Sequence, residues 1–108
     1  MIGLGWKEIL EHQRQRYPDW MTEMTKELLA TALAGECGEV CGVVTHLEGG
    51  GTNLEEYNKE MVLHQCVDTY IQMVLLLARY GFGPDQFVTE FDATMVELYR
   101  RMKESQND

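Results

Sequence analysis

Two glutamates, Glu36 and Glu39, interrupt an apolar pattern in residues 28–44, which read LLATALAGECGEVCGVV. The apolar members of this pattern share one stripe of a helix that should face the core: Leu29, Ala32, Leu33, Val40 and Val43. The two carboxylates are three residues apart in that stripe, with about 5–6 Å between their Cβ atoms. Ionised carboxylates in an apolar setting persist only if a cation or protons neutralise them. The spacing therefore predicts a cation-binding site.

Three glycines, Gly35, Gly38 and Gly42, lie on the neighbouring strip of the same helix. Each costs about 1 kcal/mol relative to Ala in a helix interior. Close approach of another backbone or of a ligand would explain their presence there.

A second polar group stands in the apolar run of residues 66–78, CVDTYIQMVLLLA. Asp68 shares a helix face with Gln65 and Gln72, and the preceding helical segment carries no Lys or Arg after Lys26 to neutralise it. Mg²⁺ and Mn²⁺ prefer oxygen ligands. We therefore predict that Glu36, Glu39, Gln65 and Asp68 hold Mg²⁺ or Mn²⁺ between two facing helices.

Three other interpretations compete with this one. The helix could be rotated so that both glutamates are ordinary surface residues. A zinc site could use Cys37, Cys41, His64 and Cys66, although no CxxC loop is present. A di-iron carboxylate bundle would need Glu-x-x-His pairs, which the sequence lacks.

Helical periodicity without strand-like alternation predicts an all-α protein with four helices. They cover residues 6–17, a segment capped by Thr22 or Thr25 and ending near residue 47, residues 53–80, and residues 84–103. Asn53 and Glu56 match a capping box at the start of the third helix. Short links predict an antiparallel bundle, in one domain spanning residues 1–108. The third helix is apolar on almost all sides, so we also expect a homodimer or homotetramer.

The composition argues against two classes of partner, nucleic-acid polymers and membranes. The formal charge of −9 disfavours nucleic-acid polymers and anionic membranes. No signal peptide and no apolar run of about 20 residues is evident, which argues against a membrane protein. Three cysteines in a helical chain are typical of a reducing compartment, so we expect a cytoplasmic protein.

The segment ALAGECGEVCGVV (residues 32–44), preceded by RYPDW (residues 16–20), resembles the MazG-like all-α nucleoside triphosphate pyrophosphohydrolases. The resemblance covers about residues 8–82 and is strongest to the branch of dCTP pyrophosphatase and integron-cassette MazG proteins. It implies a MazG-like bundle that hydrolyses a nucleoside triphosphate to the monophosphate and pyrophosphate, with Mg²⁺ held by an ExxE and a following ExxD. Glu36, Glu39 and Asp68 match this pattern, but Gln65 stands where the family has Glu. An amide oxygen can still coordinate a metal, with less charge.

The resemblance also implies a nucleotide site. Glu36 or Glu39 would act as general base for water. Trp20 is the first candidate for stacking on the base, although core packing is an alternative role for it and for Trp6. Further candidates for substrate contact are Trp6, His12, Tyr70 and Gln72, and those for the phosphate tail are Arg100, Arg101 and Lys103, then Arg79. The alternatives in other classes are a non-catalytic nucleotide-binding or assembly module that lost turnover at Gln65, and a helical bundle that only binds other proteins.

Overall fold

The computed structural model describes residues 5–49 and 57–107, and it shows an all-α chain with no strand among these residues. Its helices are α1 (Trp6–Arg16), α2 (Trp20–Glu23), α3 (Lys26–Glu48), α4 (Lys59–Arg79) and α5 (Pro84–Asn107). The all-α prediction is confirmed.

The short helix α2 was not predicted, and the count of four helices is therefore wrong. It occupies the connector after Pro18, where the Asp19 carbonyl accepts hydrogen bonds from Thr22 and Glu23. One helical turn is not stable by itself in water. Burial of Trp20 in the core holds it in place.

Helix caps decide where α3 and α4 begin. Thr25 caps α3, its Oγ1 accepting from the Leu28 N–H at 3.0 Å, as predicted. The predicted capping box at Asn53 and Glu56 lies outside the described residues. A helix continuous from residue 53 is nevertheless wrong, because Tyr57 is not helical and Asn58 Oδ1 accepts from the Met61 N–H at 3.0 Å. An asparagine side chain that caps a helix fixes its start.

Helices α3 and α4 form an antiparallel pair with three levels. At one end, Leu29 and Leu75 lie in the same core cluster. Seven residues after Leu29 on α3 lies Glu36, and seven residues before Leu75 on α4 lies Asp68. The charge of Asp68 raises the pKa of Glu36. At the far end, His46 stacks on Tyr57, with ring centroids 4.3 Å apart. The first two levels are about 10 Å apart along the helix axes, and the second and third are about 15 Å apart.

The largest cluster of packed core residues lies at the first of these levels, and Val43 is buried separately towards the far level. Trp20, Leu29, Leu75 and Ala78 form the buried centre of that cluster. The partly buried residues packed against it are Ile9, Leu10, Met24, Ile71 and Leu76.

The expectation that the third predicted helix is buried on most sides holds only for the second half of α4. Val74 is completely buried there, whereas Leu63 and Val67 are 68% and 48% exposed in the first half. The described residues leave that half of α4 open.

By length and composition alone, α3 and α4 could each cross a membrane, and little of either is buried within the chain. Core helices of soluble proteins meet the same two criteria. The expectation of no membrane partner thus stays a prediction.

Helix α5 extends away from the α3–α4 pair. Its first turns contact the rest of the chain, where Phe87 packs on Trp6 with ring centroids 5.7 Å apart. The radius of gyration is 17.6 Å, whereas a compact chain of this size has about 13 Å. The described helices therefore do not close into one compact bundle.

Candidate metal site

The middle level of the α3–α4 pair brings together the acids that the sequence singled out. Glu36 lies in the apolar stripe of α3 and is half-buried, and it faces α4. Its pKa is raised above the ordinary 4.5, first by burial and then by the negative charges of Glu39 and Asp68. The rotated-helix alternative is therefore wrong for Glu36.

Two oxygen atoms at this level are buried without a hydrogen-bond partner among the described residues: Oε2 of Glu36 and Oε1 of Gln65. A buried acceptor with no donor costs free energy, about 1–3 kcal/mol and more for a charged group. Both atoms are acceptors of the kind that hard cations bind. These two oxygens are the strongest sign of a cation site in the chain.

Glu39 lies at the exposed edge of the stripe, not inside it as predicted. Three residues on a helix turn the side chain by about 300°, so Glu39 points about 60° away from Glu36. It remains close enough to raise the pKa of Glu36. This position suits a group that works at the mouth of the site.

His64 contacts one of the acids of this site, whereas the sequence suggested it only as a zinc ligand. Its Nε2 lies 3.3 Å from Oδ2 of Asp68, one turn further along α4. The i, i+4 spacing of an imidazole and a carboxylate was the available signal. The His64 side chain is 71% exposed, so this contact lies at the surface of the site.

The acid level offers oxygen ligands from Glu36, Gln65 and Asp68, and these suit some metal ions better than others. Among the described residues, no group of three or more His, Cys, Asp and Glu side chains is arranged to hold an ion. Mg²⁺, however, usually takes one or two carboxylates together with waters and substrate phosphates. Two carboxylates with the uncompensated oxygen of Gln65 fit that requirement. The alternative zinc site of Cys37, Cys41, His64 and Cys66 is not assembled among the described residues.

The glycine strip of α3 is open. A Cβ placed on Gly35, Gly38 or Gly42 would meet nothing within 4 Å in the described chain. Close approach of another backbone, one of the two expected reasons for these glycines, is therefore not made by the described residues.

The two tryptophans that were candidates for substrate contact are buried. Trp20 lies in the core cluster with Leu29 and Leu75, about 10 Å along the helices from the acids. Trp6 is buried against Phe87, and its indole N–H has no partner among the described residues. The structure does not bring these two side chains to the carboxylates.

The remaining substrate candidates are dispersed. His12 is exposed on α1, whereas Gln72 is half-buried on α4 one turn after Asp68, and Tyr70 is half-buried on a different face of that helix. Arg79 donates from Nε to the Met24 carbonyl at 3.1 Å and so ties α4 to the connector. Arg100 and Arg101 pair with Glu97 on α5, where Lys103 lies over Tyr99. Of this group, only Tyr70 and Gln72 lie within about a turn of the acids, and the assignments stay predictions.

A separate cleft of about 480 Å³ lies between α1 and the end of α4. Lys7, Arg14 and Trp20 are among its lining residues, and none of the four predicted metal ligands is. Arg14 is already paired with Glu11 at 2.6 Å. The cleft and the acids are therefore different sites.

No family model matches the chain, nor does any curated protein or solved structure. The resemblance to MazG-like enzymes therefore rests on the quoted residues alone.

Proposed function

We propose that this protein is a MazG-like, Mg²⁺- or Mn²⁺-dependent enzyme that hydrolyses nucleoside or deoxynucleoside triphosphates to the monophosphate and pyrophosphate. The observation that supports it most is the pair of buried oxygens, Glu36 Oε2 and Gln65 Oε1, which have no hydrogen-bond partner among the described residues and lie in a patch with Asp68 and Glu39. The substrate class follows from the GECGE motif and the RYPDW segment. The role is to cleanse or shape the nucleotide pool of the cytoplasm.

Glu36, Asp68 and the Gln65 amide oxygen would hold the ion, with Glu39 completing the set from the edge of the site. A bound divalent ion supplies positive charge to the triphosphate and activates water. Without that charge, a chain with a formal charge of −9 repels a triphosphate.

The protein's own groups handle the proton of the attacking water. Glu36 is one candidate for the general base that takes this proton. Glu39, at the exposed edge, is the second candidate for general base. Water forms a bond to the α-phosphorus, the bond from that phosphorus to the bridging oxygen breaks, and pyrophosphate leaves.

His64 acts as a positioning residue. Its contact with Asp68 limits the orientations of that carboxylate. A carboxylate fixed in this way keeps its oxygen directed at the α3 acids, which matters because small displacements of a ligand weaken a site strongly.

The competing proposal is a non-catalytic nucleotide-binding or assembly module. Gln65 favours it, because an amide contributes no negative charge where the resembling enzymes have a fourth carboxylate. Such a module would bind a nucleotide without releasing pyrophosphate.

The test is pyrophosphate release from each nucleoside and deoxynucleoside triphosphate, with Mg²⁺ or Mn²⁺. We expect metal-dependent release that Glu36→Ala and Asp68→Asn each reduce at least about 100-fold, because each removes a charge needed in the transition state. Glu90→Ala, which removes an exposed acid from α5, should leave the rate unchanged. Circular dichroism should show that all variants stay helical.

Two outcomes would replace the proposal. Nucleotide binding without pyrophosphate release under either metal would establish the binding module. Neither binding nor stabilisation by metal would indicate a bundle that only interacts with proteins.

A further inference from the structure

Helix α5 carries an apolar seam that the rest of the described chain leaves mostly open. Its members recur at alternating spacings of three and four residues: Val88, Phe91, Met95, Leu98 and Met102. This is the a/d pattern of a coiled coil over two heptads. We call these five residues the α5 seam.

Four of the five seam residues, from Phe91 onward, have no cover within the described chain, and Val88 is half-buried. From Phe91 to Gln106 every residue of α5 except Glu97 is exposed. A helix of about 16 residues without tertiary contacts is marginally stable in water, so this length needs a partner. The radius of gyration, 17.6 Å, also shows a chain more open than its size requires.

The charges of α5 favour a second copy as that partner. Residues 84–95 hold three acids and no base, whereas residues 96–107 hold three bases and two acids. Antiparallel pairing places the acidic half of one helix beside the more basic half of the other. Parallel pairing would place the two acidic halves together.

The ion pairs of α5 leave the seam free of charge. Glu97 pairs with Arg100 at 2.6 Å and with Arg101 at 3.1 Å, all within one helix. The five seam positions carry only apolar side chains. Desolvating them on dimerisation therefore does not bury an ionised group.

We propose that two copies of this protein dimerise through an antiparallel coiled coil between their α5 seams. A two-fold axis passes near Met95, which lies at the middle of Pro84–Asn107, and each seam covers the other. The surface is independent of the metal site and of the proposed activity.

Met95 and Val96 provide a matched test, because they are adjacent and 47% and 70% exposed but only Met95 lies in the seam. Sedimentation equilibrium should give a dimer or a larger even oligomer for the natural chain. Met95→Glu should halve that mass and raise the dissociation constant at least about 100-fold, since it puts a charge into an apolar contact. Val96→Glu should leave the mass unchanged.

The direction of pairing is measured with a spin label on Gln106→Cys, after Cys37, Cys41 and Cys66 have been replaced by Ser. Antiparallel helices put the two labels about 30 Å apart, whereas parallel helices put them about 10 Å apart. The longer distance supports the proposal and the shorter one overturns it.

Three further results would overturn it. The natural chain could sediment as a monomer, or Met95→Glu and Val96→Glu could have equal effects. The third is that the chain co-sediments with phosphatidylcholine vesicles and Met95→Glu releases it, which would assign the seam to lipid.

Discussion

Two neighbouring levels of the α3–α4 pair, the core level with Leu29 and Leu75 and the acid level with Glu36 and Asp68, have opposite characters. At the core level, Leu29 and Leu75 pack with Trp20 in a dry core. About two turns away, Glu36 and Asp68 occupy the matching positions, and buried oxygens there lack partners among the described residues. The same inward-facing stripe stabilises the fold at the core level and costs free energy at the acid level.

This difference separates the part of the helix pair that stabilises the fold from the part proposed to bind the cation. A polar group on a core-facing position loses hydration and has to be compensated, and no cation of the described residues is seen to pair with the α3 acids. Natural sequences depart from local consistency mainly at functional sites. The core level fixes the register of the helices, and that register sets the acids opposite each other.

The largest change in stability should come from a substitution at the core level. Leu75→Ala is expected to lower the free energy of unfolding by about 2–5 kcal/mol, because it removes a buried side chain and leaves a cavity. Urea denaturation followed by circular dichroism measures it. The matched control is Val67→Ala, about two turns earlier on α4 and 48% exposed, which should change stability by no more than about 0.5 kcal/mol. Equal losses would mean that the open end of α4 is packed as tightly as the core.

A smaller effect of opposite sign is expected at the acid level. Glu36→Gln should raise the melting temperature at pH 7, by less than the change that Leu75→Ala produces, because it removes a carboxylate whose ionisation opposes folding. The pKa of Glu36 is raised in the folded chain, so its ionisation destabilises the fold as pH rises above 4.5. The gain should therefore disappear below pH 4.5, where the carboxyl is protonated in both states.

The control for Glu36→Gln is Glu90→Gln, which removes one exposed negative charge from α5. Melting temperatures of both variants are compared across pH without added metal. A gain shared by the two would reflect the formal charge of −9 rather than the setting of Glu36. A gain that does not depend on pH would contradict the raised pKa.

The sequence predicted the parts of the fold that depend on local patterns. The inward positions of Leu29 and Val43 follow from helical periodicity, and the Thr25 cap from residue type. Helix α2 was missed because burial of Trp20 stabilises it, and no local signal encodes that contact. The isolation of α5 was missed for a related reason: a pattern shows which face of a helix is apolar but not what covers it.

The site was predicted from exceptions to the same patterns. Glu36 and Asp68 stood out as acids at apolar positions, and in the structure the charge of Asp68 contributes to the raised pKa of Glu36. Glu39 was placed too far inward because a stripe has no sharp edge in sequence. His64 was missed because its contact depends on the side-chain conformation of Asp68. Gln65 was a predicted ligand, and its buried oxygen is consistent with that role.

The smallest expected effect comes from adding charge to the acid level. Gln65→Glu places another carboxylate where an uncompensated oxygen is already buried. Without metal it should lower stability by less than about 1 kcal/mol, because the new carboxyl can take up a proton to escape the repulsion. With Mg²⁺ or Mn²⁺, Gln65→Glu should become more stable than the natural chain. A metal that binds only the folded state stabilises it, and the added charge increases the affinity for the metal. Thermal melting with and without metal measures both signs, and an unchanged response to metal would remove Gln65 from the ligand set.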